Sequence, residues 1–531
     1  MRNKLIGLGI VALFLLSFAT QTTASATDWY EWDHQEDVAL DKSWTITFSK
    51  DIEKSSVSEE TVYVQDQEGK RIDITYSYKN EQTLVVKPKH TYEHGKTYTL
   101  YISDAVVSNR SNQPLTKPIK MTFTTIQYEL ITLLANEERV VNVYDSFVEA
   151  KVNASLDHEQ YIQTGSGVIL WTDSGIATVT GPTTKILEIY SEPNHKGPLT
   201  YVTPGTELKF IDGDEFFSKV QIADTKGYVS RDRLSIKPES KVEQRSYYIS
   251  NGTDLFHYIY SGNKYENYRV GPTPSFLTTG KKYYSWNGTT FGDDVAYQYF
   301  NRLPLRSKTN YTGEELDAAI KTLNPDSPLI GFGDTFKEAE ELYDVNALYL
   351  LSHAILESGW GTSKIAQEKN NLFGLNAIDA DPFRSADEFD SFEHSILDGA
   401  KYISTMYLTP NVGHYNGGFL GNKSLGMNVK YAADPYSGQK IAGAMYRLDV
   451  AGGELDRNYY DLALNTTRLN ARRQANTLLA APYFYREAGL SIILLEETYT
   501  DDELWYEIYP ELPSLERAFV HGDYVVPIYT P

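Results

Sequence analysis

The sequence predicts a multidomain fold in which all-β modules flank one compact, mostly helical domain. Three observations predict it. From about residue 28 to 125, short apolar–polar alternations are separated by turn residues, the pattern of half-buried strands. Near Thr312 the period lengthens to that of helices and stays so to about Leu448. The 531 residues include no cysteine, so several ordinary hydrophobic cores must do what disulfides do in smaller exported domains.

Residues 1–26 read as a secretory signal peptide. Arg2 and Lys4 give a positive start, residues 5–18 are almost unbroken apolar sequence, and Ala24-Ser25-Ala26 has the form of a cleavage site. The apolar run is short for a permanent span. The mature chain is therefore expected to be secreted, extracellular or cell-wall associated, without a stable membrane anchor. It has no cysteine to lipidate, and residues 525–531 are no hydrophobic sorting tail. A formal net charge of −22 argues against nucleic acid as a partner, because phosphate binding needs clustered Lys and Arg. The 41 tyrosines and 7 tryptophans suit stacking on sugar rings, and equally the packing of sheets.

Residues 28–126 alternate at 44–49, 62–64, 83–86, 98–102 and 121–125, and such evenly spaced strands suggest an antiparallel sandwich. This stretch resembles the bacterial Ig-like domains of S-layer and wall-associated proteins, which act as spacers or adhesive units. Residues 127–181 read as a small α/β segment, with a short helix over 143–154 and a strand at 167–171. Residues 182–238 end in Gly227-Tyr228-Val229-Ser230, and a related pattern closes residues 460–531, where Ala518 replaces the glycine. Both resemble small bacterial SH3-like barrels, which implies binding to cell-wall peptide or polymer. Between them, residues 239–300 form an aromatic hairpin region. Asn251-Gly252 and Asn287-Gly288 suit two-residue turns, and residues 282–288 read as a hairpin that packs on the domain after it.

The helical domain is expected over residues 301–450. Thr312 followed by Glu315 makes a capping box, and further helices are expected over 335–343, 345–357 and 392–407. The second of these, residues 345–357, is apolar nearly all round, as a central buried helix must be. It ends in His353-Ala354-Ile355-Leu356-Glu357-Ser358-Gly359-Trp360-Gly361, which puts a carboxylate in the last turn before a glycine-rich exit. Burial disfavours its charged form, and so does the negative end of the helix dipole. Stability alone would place Lys or Arg there. A raised carboxyl pKa is what a general acid needs to hold its proton near neutral pH.

Glu357 stands in Glu-Ser-Gly-Trp-Gly-x-Ser, followed by Ile365-Ala366 and Asn370-Asn371-Leu372-Phe373-Gly374. Later comes Asn428-Val429-Lys430-Tyr431-Ala432-Ala433-Asp434-Pro435-Tyr436, with Lys440-Ile441-Ala442 after it. These motifs, in this order, closely resemble the N-acetylglucosaminidases of glycoside hydrolase family 73, the bacterial autolysins. The resemblance implies a lysozyme-like helical fold and hydrolysis of the β-1,4 bond on the reducing side of N-acetylglucosamine in peptidoglycan glycan strands. No cofactor is implied. Carried over, Glu357 matches the general acid and Tyr431 the tyrosine beside the scissile bond. Trp360, Asn371 and Phe373 match positions that line the groove. Tyr436, also a substrate-side candidate, and Asp434 suit the turn that presents Tyr431.

The second carboxylate is less determined. The matching stretch offers Asp379 and Asp381, with Asp379 preferred by its A-x-D-x-x-P setting; a substrate-assisted route through the 2-acetamido group stays open. The 10 histidines show no metal-ligand spacing, and the lack of cysteine excludes a thiol nucleophile. Two rivals remain at this level. One is a muramidase or lytic transglycosylase on the same fold. The other is a non-catalytic wall adhesin, against which the intact Glu-Ser-Gly-Trp-Gly motif argues.

Overall fold

The computed structural model describes residues 28–134, 137–155, 158–193, 196–376, 382–410 and 412–531. The signal-peptide reading of residues 1–26 lies outside them. The chain divides into two compact units, the first ending at Asp173 and the second running from Ser174 to Pro531.

The first unit opens with a sandwich. One sheet orders Tyr30–Val38, Ile119–Thr125, Thr97–Ile102, Val62–Asp66 and Arg71–Ile72; the other orders Trp44–Thr47, Thr83–Pro88 and Ile74–Asn80. Alternate side chains of both, among them Ile46, Val64, Leu84, Leu100 and Phe123, meet in one buried core. The sandwich departs from the expected antiparallel pattern at one place. Tyr30–Val38 runs parallel to Ile119–Thr125. These are the first and last strands, so no hairpin turn dictates their relative direction. A four-stranded antiparallel sheet follows, in the order Glu137–Tyr144, Tyr128–Leu134, Gln160–Thr164 and Ile169–Thr172. Helix α1, Phe147–Val152, is shorter than the sequence suggests, because Val143 and Tyr144 extend the preceding strand.

The second unit begins with a seven-stranded sheet formed by residues 175–238. Its first strand, Gly175–Val179, comes from the stretch read as part of the preceding segment. The expected small barrel does not close, since the strand order leaves Pro198–Val202 and Leu234–Pro238 at opposite edges. The C-terminal module is likewise open, a five-stranded sheet ending in Ala518–His521 and Val525–Pro527, with a two-stranded ribbon beside it. The edge at Pro198–Val202 is spent on another contact, which keeps it from pairing elsewhere. Just past it, the Thr203 N–H donates to Ala433 O at 3.1 Å. The Thr200 hydroxyl donates to Val429 O at 2.8 Å, and the Tyr201 hydroxyl to Lys430 O at 2.6 Å. The module therefore lies directly on the segment that carries Tyr431.

Between the sheets, Tyr247–Ser250, Asp254–Ser261 and Lys264–Pro272 form an aromatic meander whose first turn holds Asn251 and Gly252. The hairpin expected at residues 282–288 does not form. Lys282–Tyr283 pairs with Tyr247–Ser250 instead, and Asn287 caps a loop by accepting the N–H groups of Thr289 and Thr290. An Asn side chain that satisfies two backbone donors stabilises such a loop without a strand partner.

The helical domain comprises α2 Tyr299–Arg302, α3 Gly313–Leu323, α4 Gly333–Tyr343, α5 Ala347–Ser358, α6 Lys364–Lys369, α7 Pro382–Ser385, α8 Phe392–Met406 and α9 Ser437–Gly452. The capping box at Thr312 and Glu315 is present. Ten of the twelve residues of α5 are buried, so the helix is encased rather than amphipathic. No helix among the described residues is long and apolar enough to cross a membrane. Helix α9 crosses the strand Lys264–Pro272 so closely that a Cβ at Gly443 would stand 1.9 Å from Arg269 O. Gly443→Ala must push helix and strand apart, and it is expected to lower stability by about 2–3 kcal/mol in urea denaturation.

Candidate active site

Helix α5 starts under the Asn346 side chain, which accepts the Tyr349 N–H at 2.9 Å, and carries only apolar, aromatic or small residues until its last turns. The exit is abrupt. Gly359, Trp360 and Gly361 all adopt left-handed backbone, with φ of 57°, 64° and 80°. For a tryptophan this conformation is rare and strained, and it is tolerated where surrounding structure over-determines it. Here the Trp360 N–H donates to Ile355 O at 2.9 Å, and its carbonyl accepts the Ser327 hydroxyl at 2.9 Å. The turn stops the helix one residue beyond Glu357 and faces its carboxyl out of the core.

Glu357 is open on one side, with 31% of its side chain exposed, and crowded by protein on the others. A methyl group at Gly374 would stand 3.9 Å from its Oε2. Burial raises its pKa from 4.5 to about 7; the negative charge of Asp434 adds to the rise, and Lys440 opposes it. Asp434 and Lys440 form an ion pair at 2.6 Å, so the two influences largely offset each other and burial dominates. A raised carboxyl alone does not mark a site. Glu511 is also pushed to about 7, but it is wholly buried and accepts the Tyr415 hydroxyl, which no substrate could reach. Glu357 combines the shift with an opening to solvent.

One turn before it, His353 is fully buried, with Nε2 3.8 Å from Glu357 Oε1. Burial drives its pKa down to about 3, so the ring is neutral. Tyr431 meets the same imidazole edge-on at 4.9 Å, and Tyr407 backs Tyr431 at 5.3 Å. Burial and the neighbouring Glu357 push the Tyr431 hydroxyl well above its usual range, leaving a neutral phenol able to donate a hydrogen bond. Glu357 and Tyr431, 74 residues apart by number, thus converge on His353.

The remaining sequence candidates are placed differently. Trp360 follows the helix end, partly packed on the helical core, with the Arg447 guanidinium 5.9 Å from its ring centre. Phe373 is buried behind His353 at 5.3 Å and forms the wall rather than the surface. Asn371 is buried too, and its amide is committed to backbone, donating to Leu375 O and Asp387 O and accepting the Leu375 N–H. It shapes the loop beside Glu357. Tyr436 turns away, edge-on to His257 of the aromatic meander at 4.6 Å. Asp434 accepts the Tyr436 N–H at 2.9 Å, which fixes the turn after Tyr431. Asp379 and Asp381 lie outside the described residues.

Sequence reading passed over His353 after finding no metal partner for it. The signal was its i,i+4 spacing to Glu357 on one helix face. It also missed Lys423, a buried lysine that donates to Asn428 O at 3.0 Å and to Ala432 O, and lies 4.8 Å from the Tyr201 ring. Its Nζ gathers the segment on both sides of Tyr431.

Comparison with known proteins identifies two domains of the chain. Residues 333–450 match the family model described as mannosyl-glycoprotein endo-beta-N-acetylglucosaminidase, and residues 32–125 match the bacterial Ig-like domain. A putative endo-beta-N-acetylglucosaminidase of Streptococcus pneumoniae is 38% identical over 272 residues, covering 50% of this chain and 40% of its own. A bifunctional autolysin of Staphylococcus aureus is 33% identical over 152 residues, which is 23% of this chain and 12% of the autolysin. The crystal structure of S. aureus autolysin E with a muropeptide aligns over 30% of this chain and 75% of its own, at 25% identity and a TM-score of 0.24. The chain thus carries a glucosaminidase domain and an Ig-like domain, and spans about two fifths of the first relative.

The raised carboxyl has a stability consequence. Between pH 4.5 and about 7 the folded protein keeps a proton that the unfolded chain has released, so stability falls as pH rises through that window. Glu357→Gln removes the penalty. In thermal or urea unfolding it is expected to match the wild type at pH 4 and exceed it at pH 8, by about 1–3 kcal/mol, solvent on the open side reducing the effect.

Proposed function

We propose that this protein is an exported peptidoglycan hydrolase, an endo-β-N-acetylglucosaminidase that cleaves the β-1,4 bond between N-acetylglucosamine and N-acetylmuramic acid in glycan strands. One observation carries the reading: a solvent-facing carboxyl held protonated up to about pH 7 at the end of a buried helix, inside the segment that matches the glucosaminidase model. The name of the pneumococcal relative, a putative endo-beta-N-acetylglucosaminidase, supports the reaction class.

Glu357 is the general acid. It gives its proton to the glycosidic oxygen as the bond to C1 breaks, and the electron pair of that bond leaves with the oxygen. Tyr431, neutral and beside the carboxyl, orients the sugar or the attacking water through its hydroxyl. Trp360 offers an apolar edge on which a pyranose ring rests. Phe373 and Asn371 keep the walls of the site in place.

Muropeptide analysis of purified peptidoglycan tests the bond and the acid together. Wild-type digests are expected to show new reducing N-acetylglucosamine ends. Glu357→Gln is expected to lose roughly 10²-fold or more of the activity. Reducing N-acetylmuramic acid ends would move the assignment to a muramidase, and an inert wild type would point to an adhesin. The acid must be protonated to act, so kcat/KM is expected to fall as pH rises through about 7.

A further inference from the structure

His353 has no place in the chemistry described so far, yet its Nε2 stands 3.8 Å from the carboxyl of the acid. Its ring is wholly buried and cannot swing, because Phe373 and Tyr431 meet it edge-on at 5.3 Å and 4.9 Å. Nδ1 lies 3.0 Å from the Tyr349 hydroxyl. Nε2 has no hydrogen-bond partner and points at Glu357, 3.8 Å from Oε1.

A neutral imidazole carries one N–H, and Tyr349 decides which nitrogen holds it. The Tyr349 hydroxyl has one proton and two acceptors in reach, His353 Nδ1 and Met427 Sδ at 3.3 Å. A thioether is a weak acceptor and an imidazole nitrogen a strong one. Acceptor strength thus favours donation to Nδ1, the tautomer in which the N–H of the ring falls on Nε2, on the side of the carboxyl. A buried N–H without an acceptor is costly, and Glu357 is the acceptor at hand.

Resting on the assignment of Glu357 as the acid, we propose that His353 is a positioning residue whose Nε2–H donates to the Glu357 carboxylate once the proton has gone to the glycosidic oxygen. At 3.8 Å the contact is longer than a hydrogen bond. The side chain of Glu357 is open on one side and closes the gap by a small rotation. The bond thus strengthens as negative charge develops, which is the condition for lowering the barrier rather than tightening substrate binding. The other groups acting on Glu357 are Asp434 and Lys440, whose ammonium is paired with Asp434, while the phenols Tyr431 and Tyr349 feel its charge.

The test compares full-length wild type, His353→Phe and His353→Gln on purified peptidoglycan across pH 5–9. Phenylalanine keeps the volume and removes the donor; glutamine restores an N–H. His353→Phe is expected to lower kcat by roughly 10- to 100-fold with KM within about twofold. Its basic limb is expected to move up by about one pH unit, because the carboxylate has lost a donor. His353→Gln is expected to recover most of the rate and return the limb towards wild type. An unshifted limb in a folded His353→Phe overturns the proposal, as does a His353→Gln no better than His353→Phe. If His353→Phe does not fold, Tyr349→Phe decides: it frees the ring to adopt the other tautomer, so an upward shift supports the proposal and an unchanged limb overturns it. Glu357→Gln in parallel separates the two claims. An active Glu357→Gln sinks the acid assignment itself, whereas an inactive one beside an unaffected His353→Phe sinks only the role of His353.

Discussion

The burial of helix α5 is the constraint on which the rest depends. A helix encased on nearly all sides can hold a carboxyl in its last turn only by suppressing the charge of that carboxyl, and both the apolar walls and the helix dipole work in that direction. The left-handed run of Gly359, Trp360 and Gly361 then decides where the carboxyl points. In that last turn the carboxyl keeps its proton up to about pH 7 and stays open to solvent on one side. The large apolar core around α5 supplies the stability that such an arrangement costs.

The surroundings of the acid are polar but hardly charged. Tyr431 and Tyr349 are phenols that burial keeps protonated, and His353 is an imidazole that burial keeps neutral. The charges nearby, Asp434 and Lys440, are joined to each other. Lone ionised groups in such a place would carry a large desolvation cost and would reset the acid's pKa. Neutral donors interact with a carboxyl without doing so.

The other half of the site rests on irregular backbone, and irregular backbone needs partners for its polar groups. The segment carrying Tyr431 finds them from two directions. Lys423 collects carbonyls from below, and the edge of the 175–238 sheet collects them from outside through Thr200, Tyr201 and Thr203. The open sheet of residues 175–238 is therefore a structural support for the candidate active site.

Sequence alone determined the elements whose signals are local. The encased helix, its capped neighbour at Thr312, the strands of the first sandwich and the acid in the last turn all follow from period, caps and composition, which operate within a few residues. The motif spacing also brought Tyr431 to the same site as Glu357, by resemblance. Only the tertiary structure decided the rest: that His353 aims its free nitrogen at the acid, that Asn371 spends its amide on backbone, that Tyr436 turns to the aromatic meander, that the first strand of the sandwich runs parallel to its last, and that two sheets stay open. Each of these depends on where distant parts of the chain come to rest against each other. No local pattern encodes that, because the energy of a buried contact belongs to the pair and not to either residue.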